Sequence, residues 1–452
     1  MTKASRRLLG LVALAAVLTV SLAFVAQRAS PPAGAQPSTI SFTNTPLLQP
    51  NGDSEPAITI GSDGTMVLSA LSWQLFQTNI WKGPFGATPT FQGGIDTQIN
   101  NGVGGGDADV DLGASGTLHA TTLMFFFNPK THLKQLGVSA VTCPHADTSS
   151  SFASCTSQII DATQADRPWV SSDGNAVYIS YHDAGSSTTV HVQRSTDDGL
   201  TFQRVGDPIV GQGSATGSAT FNNDNGNIVA DPTTHDVFNI YAAGEPGIQK
   251  ATSTAFNHIF VSRSADGGKS WTAQLVFTGP VGTGLNNVFP TLAVDPVTGT
   301  LYAAWSDAHS VSIASSTDHG VSWSPAQIVN TGAAVTAVFP ALAARNGTID
   351  VSYYGTTAAS KDDPSAVWNT YLAQSKHGGA FTQVSVTTSP NHVGVICTNG
   401  TGCQPGTRNL LDLFEVAIDP VSGRAALIYT NDLLTTESSG APLPQVVLAQ
   451  QN

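Results

Sequence analysis

Three stretches of the chain pass in the same way from alternating apolar positions into a short polar run. Alternation with a period of two residues is typical of a β-strand with one buried face. The polar run that follows contains Asp, which can bond to nearby backbone, and Gly, which can take a positive φ. Each stretch therefore predicts a strand that ends in a tight turn. The apolar pairs are Val190 and Val192, Ile259 and Val261, and Val311 and Ile313.

The polar runs share one spacing of Ser, Asp, Gly and an aromatic residue, and their first residues lie 69 and 52 positions apart. Three matching copies indicate an internal repeat. The repeat resembles the Asp box of sialidase-like (BNR-repeat) β-propellers of the exported bacterial type, and a shorter copy at residues 375–381 has His377 in place of the Asp. The resemblance implies a propeller in which these residues shape turns and are not catalytic. The full copies are Ser195, Asp197, Gly199 and Phe202, then Ser264, Asp266, Gly268 and Trp271, then Ser316, Asp318, Gly320 and Trp323.

A second repeat indicates how many structural units the chain contains. Glycine followed by alternating apolar residues recurs, and each copy follows a short predicted strand. Together with the Asp-box stretch, one unit then holds four antiparallel strands in roughly 50 to 75 residues, which is typical of a propeller blade. The sequence predicts an all-β protein with one closed propeller of seven four-stranded antiparallel blades, with six blades as the alternative. Six copies begin at Gly64, Gly116, Gly174, Gly299, Gly347 and Gly423, and a seventh, glycine-poor copy begins at Asp231. Several of the preceding strands open with a proline, at Pro56, Pro168, Pro290 and Pro340.

The last unit ends before its fourth strand. Residues 445–450 can form its third strand, and no sequence remains for another. An alternating segment at residues 39–45 has no partner nearby in the chain. We expect this segment to complete the last blade, because ring closure removes the sheet edges that would otherwise pair with other molecules.

The N-terminal sequence has the arrangement of an export signal. Lys3, Arg6 and Arg7 precede an apolar run at residues 8–26, and Ala-Gly-Ala at 33–35 suits a signal peptidase. The predicted domains are a signal peptide at 1–35, a linker and closing strand at 36–50, and the Asp-box propeller at 51–452. An uncleaved membrane anchor is the alternative, and either the general or the twin-arginine export route fits. A secreted location is expected, with a periplasmic or surface-attached one as alternatives.

The composition and net charge of the chain limit the classes of ligand that it is expected to bind. The net charge is −13 and only 11% of the residues are charged, which argues against nucleic acid because that ligand requires a basic patch. We expect a monomer that binds a glycan or a protein, without stable membrane insertion once the signal is removed. Four cysteines in an exported chain predict disulfides. Proximity pairs Cys143 with Cys155 and Cys397 with Cys403, whereas a metal site would have only His145 nearby.

Propeller topology predicts which polar residues meet at one opening, here called the mouth. The first strand of each blade begins there and the second ends there, so their terminal polar side chains should gather around it. Ligands commonly enter closed β-structures at such openings. No cofactor is expected, although the acidity of the mouth allows a structural cation. The candidate ligand-site residues are Glu55, Asp166, Arg167, His182, Asp183, Asp307 and Arg408, with Asp107, Asn287, Asp412 and Asp432 close to them in the predicted arrangement.

The sialidase resemblance also implies an activity that the residues do not support. Family enzymes hold the substrate carboxylate with three arginines, the first in a Phe/Tyr-Arg-Ile-Pro motif in blade one, and react through a Tyr–Glu pair and an Asp. Here the corresponding segment is Ser54-Glu55-Pro56-Ala57, with an acid in place of the arginine. Only Arg167 and Arg408 are placed to reach the mouth. We therefore expect a binding protein without sialidase activity.

A glycoside hydrolase or lyase is the alternative function. It would use mouth carboxylates, such as Asp183 and Asp307, as acid and base at a separation that the blades fix. An exo-α-sialidase that departs from the family motif belongs to this alternative.

Overall fold

The residues that the structure describes form thirty β-strands arranged in seven antiparallel sheets. The computed structural model describes residues 40–96, 102–127, 134–148, 152, 154–163, 165–183, 189–209, 223–244 and 256–452. The expected signal peptide and the start of the linker lie outside these residues, so the domain boundaries there remain predictions. No α-helix occurs within the described ranges.

The first four blades follow the chain in order. Blade one contains β2 (Asp53–Ile60), β3 (Thr65–Ser72), β4 (Thr78–Pro84) and β5 (Thr90–Gly94). Blade two contains β6 (Gly102–Val103), β7 (Ala108–Leu112), β8 (Leu118–Phe127), β9 (Lys134–Cys143) and β10 (Thr156–Asp161). Blade three contains β11 (Ala165–Asp173), β12 (Ala176–Asp183), β13 (Val190–Ser195) and β14 (Gln203–Arg204). Blade four contains β15 (Asn223–Ala230), β16 (Val237–Ala243), β17 (His258–Ser264) and β18 (Thr272–Thr278).

The remaining blades complete the ring and use the N-terminal strand. Blade five contains β19 (Thr291–Val294), β20 (Leu301–Ser306), β21 (Val311–Ser316) and β22 (Gln327–Ile328). Blade six contains β23 (Thr336–Arg345), β24 (Thr348–Thr356), β25 (Val367–Lys376), β26 (Thr382–Ser385) and β27 (His392–Val393), followed by a short 3₁₀ helix at Gly400–Gly402. Blade seven contains β28 (Glu415–Ile418), β29 (Ala425–Thr436), β30 (Pro442–Gln451) and β1 (Phe42–Pro46).

The seven-blade count and the closure by the N-terminal strand are both confirmed. β1 pairs antiparallel with β30, with Phe42 opposite Gln451 and Pro46 opposite Val447. The first strands of neighbouring blades contact each other in cyclic order, and β28 of the last blade contacts β2 of the first. These seven first strands surround a central cavity of about 500 Å³.

Polar side chains on the first strands join neighbouring blades. Because the inner edge of each sheet has no further strand, its backbone N–H groups need other acceptors. Asp109 Oδ2 accepts the N–H of Val170 at 2.8 Å, and Glu415 Oε2 accepts that of Ile58 at 2.8 Å. Asn227 Oδ1 likewise accepts the N–H of Leu292 at 2.8 Å. These bonds hold the inner ends of the blades in register, and so fix the positions of the strand starts at the mouth.

The three full repeats adopt one hydrogen-bonded conformation, and we call them the outer turns (residues 195–202, 264–271 and 316–323). In the third, Ser316 Oγ donates to Asp318 Oδ1 at 2.8 Å and accepts the N–H of Gly320 at 2.9 Å. Asp318 Oδ1 also accepts the N–H of Ser322 at 2.9 Å. The other two turns repeat these bonds within 0.1 Å for the glycine and the final Ser or Thr N–H. The Asp side chains of these turns therefore bond within the turn itself.

Both predicted disulfides are present. Cys143 is bonded to Cys155 in blade two, and Cys397 is bonded to Cys403 in the connection between blades six and seven. Each disulfide joins two cysteines that lie close together in the sequence, as predicted, and so closes a small loop.

Among the residues with described positions, no helix has the length and apolar character needed to span a bilayer.

Candidate functional site

A bulge at the start of the first strand turns a side chain towards the mouth in several blades. Glu55, Arg167 and Phe339 each precede a proline and have φ of 49°, 56° and 59°. The pairing register of their strands shifts at the same points. A bulge bends its strand and redirects the side chain of the extra residue. In blades one and three, the residue before the proline, Glu55 or Arg167, therefore reaches the site.

Charged side chains from blades one, three and four and from the connection before blade seven meet in one cluster, here called the mouth cluster. Arg408 Nε donates to Asp412 Oδ1 at 3.0 Å, and Asp412 donates its backbone N–H to Glu55 Oε1 at 3.0 Å. Arg167 lies between two carboxylates, with Nη1 3.7 Å from Asp224 Oδ1 and Nη2 3.8 Å from Asp412 Oδ2. The mouth cluster thus places two arginines among several acids.

Burial decides the protonation of these acids. It raises the pKa of Glu55 well above the ordinary value, with the charges of Asp107 and Asp412 adding to the effect. Burial also raises the pKa of Asp107 to about 6, helped by the charge of Asp166. Burial raises the pKa of Asp224 to about 6, against the lowering effect of Arg167. The mouth cluster can therefore present neutral carboxyl groups, which donate hydrogen bonds, beside ionised ones, which only accept them.

Aromatic rings support the arginine from below. The guanidinium carbon of Arg167 lies 4.3 Å from the centre of the Phe289 ring, which is within the range of a cation–π contact. Trp169 packs edge-on against the same ring at 5.7 Å. Both rings also line the central cavity. These two rings, here called the aromatic floor, lie between Arg167 and the central cavity that they line.

The disulfide loop between blades six and seven lies against the mouth cluster. A Cβ built on Gly400 would lie 3.6 Å from Arg167 Nη2. Thr398 Oγ1 donates to Asn287 Oδ1 at 3.2 Å, and the same connection carries Arg408 and Asp412. The disulfide therefore restrains a segment that covers one side of the site.

The remaining candidates lie near the mouth with other partners. His182 is buried, with Nδ1 2.8 Å from the carbonyl oxygen of Asp183, and burial first and then Arg167 lower its pKa to about 4. Asp183 Oδ1 lies 2.6 Å from His191 Nε2. Asp307 accepts the backbone N–H groups of His309 and Ser310 and so stabilises its own turn. Asp183 and Asp307 have no common partner, whereas Glu55, Asp166, Arg167 and Arg408 belong to or adjoin the mouth cluster.

A second buried pair holds the connection in place. His392 Nδ1 lies 2.9 Å from Asp432 Oδ2, and Asn409 Nδ2 donates to the same oxygen at 2.8 Å. These contacts fix the segment beside Arg408, which gives Asp432 a supporting position behind the mouth cluster.

The other arginines after residue 35 lie away from the mouth. Two lie in turns between the first and second strands of a blade, on the opposite face. Two precede the Ser of an outer turn, and one lies on the exposed strand β14 in an ion pair with Asp207. Two of the seven arginines therefore reach the mouth cluster. The five others are Arg194, Arg204, Arg263, Arg345 and Arg424.

Sequence reasoning missed Asp224. It lies at the start of the first strand of blade four, whose bulge contains Gly226 and which, like the first strands of blades two and seven, has no X-Pro pair. Asn286 Nδ2 donates to Asp224 Oδ2 at 3.1 Å and orients the carboxylate towards Arg167. The weak glycine-poor repeat of blade four was the only sequence signal that could have located it.

No group of three or more His, Cys, Asp or Glu side chains within the described residues is arranged to hold a metal ion.

Comparisons with known proteins find similarity at the level of structure. No family model and no curated protein sequence matches the chain. Among solved structures, an α-L-arabinofuranosidase of Fusarium graminearum in complex with an iminosugar inhibitor is 12% identical, covers 90% of this chain and 96% of its own, and gives a TM-score of 0.44. The Aleuria aurantia lectin in complex with α-methyl-L-fucoside is 12% identical, with coverages of 75% and 98% and a TM-score of 0.46. The Trypanosoma rangeli sialidase is 10% identical, with coverages of 92% and 60% and a TM-score of 0.45.

At these identities and TM-scores, the similarities assign neither a substrate nor an activity to this chain. The blade topology and the three outer turns are properties of the chain itself. On that basis the chain has a seven-bladed β-propeller fold with three outer turns of one conformation.

Proposed function

We propose that the protein is an exported propeller that binds a glycan or a partner protein at the mouth cluster and does not hydrolyse sialosides. The proposal rests mainly on the observation that both arginines of the mouth cluster already lie beside carboxylates. Arg167 lies between Asp224 and Asp412, and Arg408 bonds to Asp412. A guanidinium engaged in this way has little capacity left for a substrate carboxylate.

The acid in blade one argues in the same direction. Glu55 stands where the sialidase resemblance implies the first arginine, and its carboxylate accepts the N–H of Asp412. Five acids and two arginines in and beside the mouth cluster give a formal charge of 2 − 5 = −3 before protonation. Such a site repels a sialic-acid carboxylate at neutral pH.

An uncharged sugar suits the site better. Neutral carboxyl groups and guanidinium N–H groups donate hydrogen bonds, and ionised carboxylates accept them, so both kinds of partner for a hydroxyl group lie within one cluster. The aromatic floor of Trp169 and Phe289 completes a lining of the kind that small-molecule sites use. Export is supported by the two disulfides, which persist in oxidising compartments.

The experiment combines a binding screen with an activity assay. The protein without residues 1–35 would be applied to a glycan array, and hits measured by calorimetry. The Arg167→Ala variant should lose binding, whereas Arg204→Ala, which removes an exposed arginine in blade three, should retain it. Hydrolysis of a fluorogenic sialoside should stay at the level of the blank. Release of sialic acid that is lost in Arg167→Ala would contradict the proposal.

A glycoside hydrolase is the second candidate, and one observation favours it. Burial raises the pKa of Asp107 and of Asp224 to about 6, which suits a general acid at mildly acidic pH. Fluorogenic α-L-arabinofuranosides, α-L-fucosides and other uncharged glycosides would test it. Turnover that disappears in Asp224→Asn and persists in Asp307→Asn would establish this function in place of binding alone.

A further inference from the structure

Between neighbouring blades, a pair of residues on the second and third strands lies beside the turn of the next blade. In blade two, His119 is opposite Thr142, and Thr142 Oγ1 donates to the carbonyl oxygen of Gly199 in the first outer turn at 2.9 Å. In blade four, a ring atom of Phe238 lies 3.6 Å from a Cβ built on Gly320. The paired positions therefore fill the space between a blade and the next turn.

Between blades three and four, a guanidinium fills this space. Arg194 is opposite Tyr178, and its guanidinium carbon lies 5.6 Å from the centre of the tyrosine ring. A Cβ built on Gly267 of the next turn would lie 2.4 Å from Arg194 Nη1, and one built on Gly268 would lie 2.8 Å from Val205. Both glycines of that turn thus contact the preceding blade.

Between blades five and six, the same place is open. Tyr302 occupies the position of Tyr178, but its partner is Ser315 and not an arginine. The turn of blade six is the shortened copy, in which a Cβ built on Gly378 would meet nothing within 4 Å and one on Gly379 would meet only Lys376 of its own blade. A cavity of about 350 Å³ lies here, lined by Thr300, Tyr302, Ser315, Ser324, His377 and Phe381 among others.

We infer that this inter-blade cavity is a second binding site, which takes the guanidinium group of an arginine side chain from another polypeptide. The internal comparison supports this ligand, because a guanidinium already occupies the equivalent space beside Tyr178. Arg263, at the equivalent position of blade four, pairs with Asp236. Arg194 has no carboxylate at ion-pair distance among the described residues and lies beside the ring of Tyr178, so a guanidinium between blades three and four is held without an ion pair.

The lining of the cavity offers the same contacts. Tyr302 and Phe381 are half-buried and present ring surface. The hydroxyl groups of Thr300, Ser315 and Ser324 can accept hydrogen bonds. No lysine or arginine lines the cavity, and the net charge of −13 favours a cationic ligand.

Short peptides test the site on the whole protein. The peptide acetyl-Gly-Arg-Gly-amide would be titrated and followed by NMR, beside the same peptide with citrulline, which has the shape of arginine without its charge. We expect saturable binding of the arginine peptide and at least about fivefold weaker binding of the citrulline peptide. Tyr302→Leu should weaken binding by about tenfold, whereas Tyr302→Phe, which keeps the ring, should retain it.

Filling the cavity from within gives an independent test. Ser315→Arg should reproduce the contact between blades three and four, raise the melting temperature and abolish peptide binding. Ala265→Arg, which adds the same charge at an exposed position of the second outer turn, should do neither. Equal binding of the arginine and citrulline peptides, or undiminished binding in Ser315→Arg, would overturn the inference. A neutral monosaccharide that requires Tyr302 and is not displaced by the arginine peptide would also overturn it. Should Ser315→Arg fail to fold, the two Tyr302 variants decide the matter.

Discussion

The outer turns and the mouth cluster use aspartate in opposite ways. Asp318 in the third outer turn finds its partners within four residues, and their hydrogen bonds, led by that of the Ser322 hydroxyl, lower its pKa to about 2. Asp224 at the mouth meets Arg167 and Asn286 from other blades, and burial raises its pKa to about 6. A locally satisfied, exposed carboxylate stabilises its own turn, whereas a buried one assembled from distant segments remains available for chemistry.

The largest expected effect is the loss of an aromatic anchor in an outer turn. Trp271 is 7% exposed and donates its ring N–H to the carbonyl oxygen of Gly268 at 2.9 Å. Trp271→Ala should lower the free energy of unfolding by about 3 kcal/mol, because it leaves a cavity and an unpaired carbonyl group. Denaturant unfolding measures this. Leu200→Ala, at a position of the first outer turn that is 60% exposed, should change it by less than about 0.5 kcal/mol. Equal effects of the two changes would show that the ring does not anchor the turn.

The next-largest effect is expected from the removal of a disulfide. Both disulfides should contribute to stability, but only one should also affect ligand binding. Replacing both cysteines of either pair by serine should lower the free energy of unfolding by about 2 to 3 kcal/mol. The bonded cysteines are 12 positions apart in one pair and 6 in the other, so each disulfide closes a loop. Only the Cys397→Ser and Cys403→Ser double variant should also weaken ligand binding at the mouth. Thiol titration of the protein purified without reductant should find no free cysteine. Free thiols, or equal effects of the two pairs on binding, would contradict this division.

The hydroxyl group of an outer turn contributes less. In Ser316→Ala the N–H of Gly320 loses its acceptor inside a turn, so the free energy of unfolding should fall by about 1 to 2 kcal/mol. The shortened turn of blade six provides the matched control, because Ser375 Oγ only donates, to the carbonyl oxygen of Gly379 at 2.6 Å. Ser375→Ala should therefore have the smaller effect in thermal unfolding. A larger effect of Ser375→Ala would indicate that the hydroxyl acceptor is unimportant.

The sequence predicts the outer turns well because their interactions are local. The spacing of Ser316, Asp318 and Gly320 contains nearly all the partners that the turn uses, and the repeat makes the pattern visible. Blade number and ring closure follow from the same repetition. Proximity also sufficed for the disulfides, because each joins cysteines within one short segment.

The mouth cluster is predicted only in part because its contacts are long-range. Topology places Glu55, Arg167 and Arg408 at one opening, but which of them meet depends on bulge positions and on the long connection before blade seven. Asp412 lies 357 residues from Glu55 and still donates to it. Asp224 escaped notice because blade four has the glycine-poor copy of the repeat and no proline, so the start of its first strand was not located. Asp307 was included because the position of a residue at a strand end does not reveal that its side chain bonds to a local turn.

The difference in pKa between the two regions predicts the pH dependence of stability. At the mouth, burial raises the pKa of Asp224 and Asp107 above the unfolded value, so the folded state binds protons more tightly there. Their contribution to the free energy of unfolding should therefore rise as the pH falls from 7 towards 4. In the outer turns, hydrogen bonds from Thr201, Ser270 and Ser322 hydroxyls lower the pKa of the three Asp residues to about 2. Their contribution is present above the unfolded pKa and is lost as the pH falls from about 4 through 2.

Melting temperatures measured from pH 7 to pH 2 test both signs, and this is the smallest effect expected, since the partly exposed groups are screened by solvent. Asp224→Asn should flatten the rise between pH 7 and pH 4, because an amide cannot take up the proton, and should leave the loss below pH 4 unchanged. Asp318→Asn should lower the melting temperature at neutral pH and reduce the loss below pH 4, because the turn no longer holds an ionised carboxylate. Burial lowers the pKa of His182 to about 4, which acts in the opposite direction over the same pH range, so the comparison with Asp224→Asn decides the matter. A pH dependence between 7 and 4 that is identical in Asp224→Asn would mean that this mouth carboxyl is ionised and fully paired in the folded state. In that case the mouth would resemble the outer turns, and its capacity to donate hydrogen bonds to an uncharged sugar would be lost.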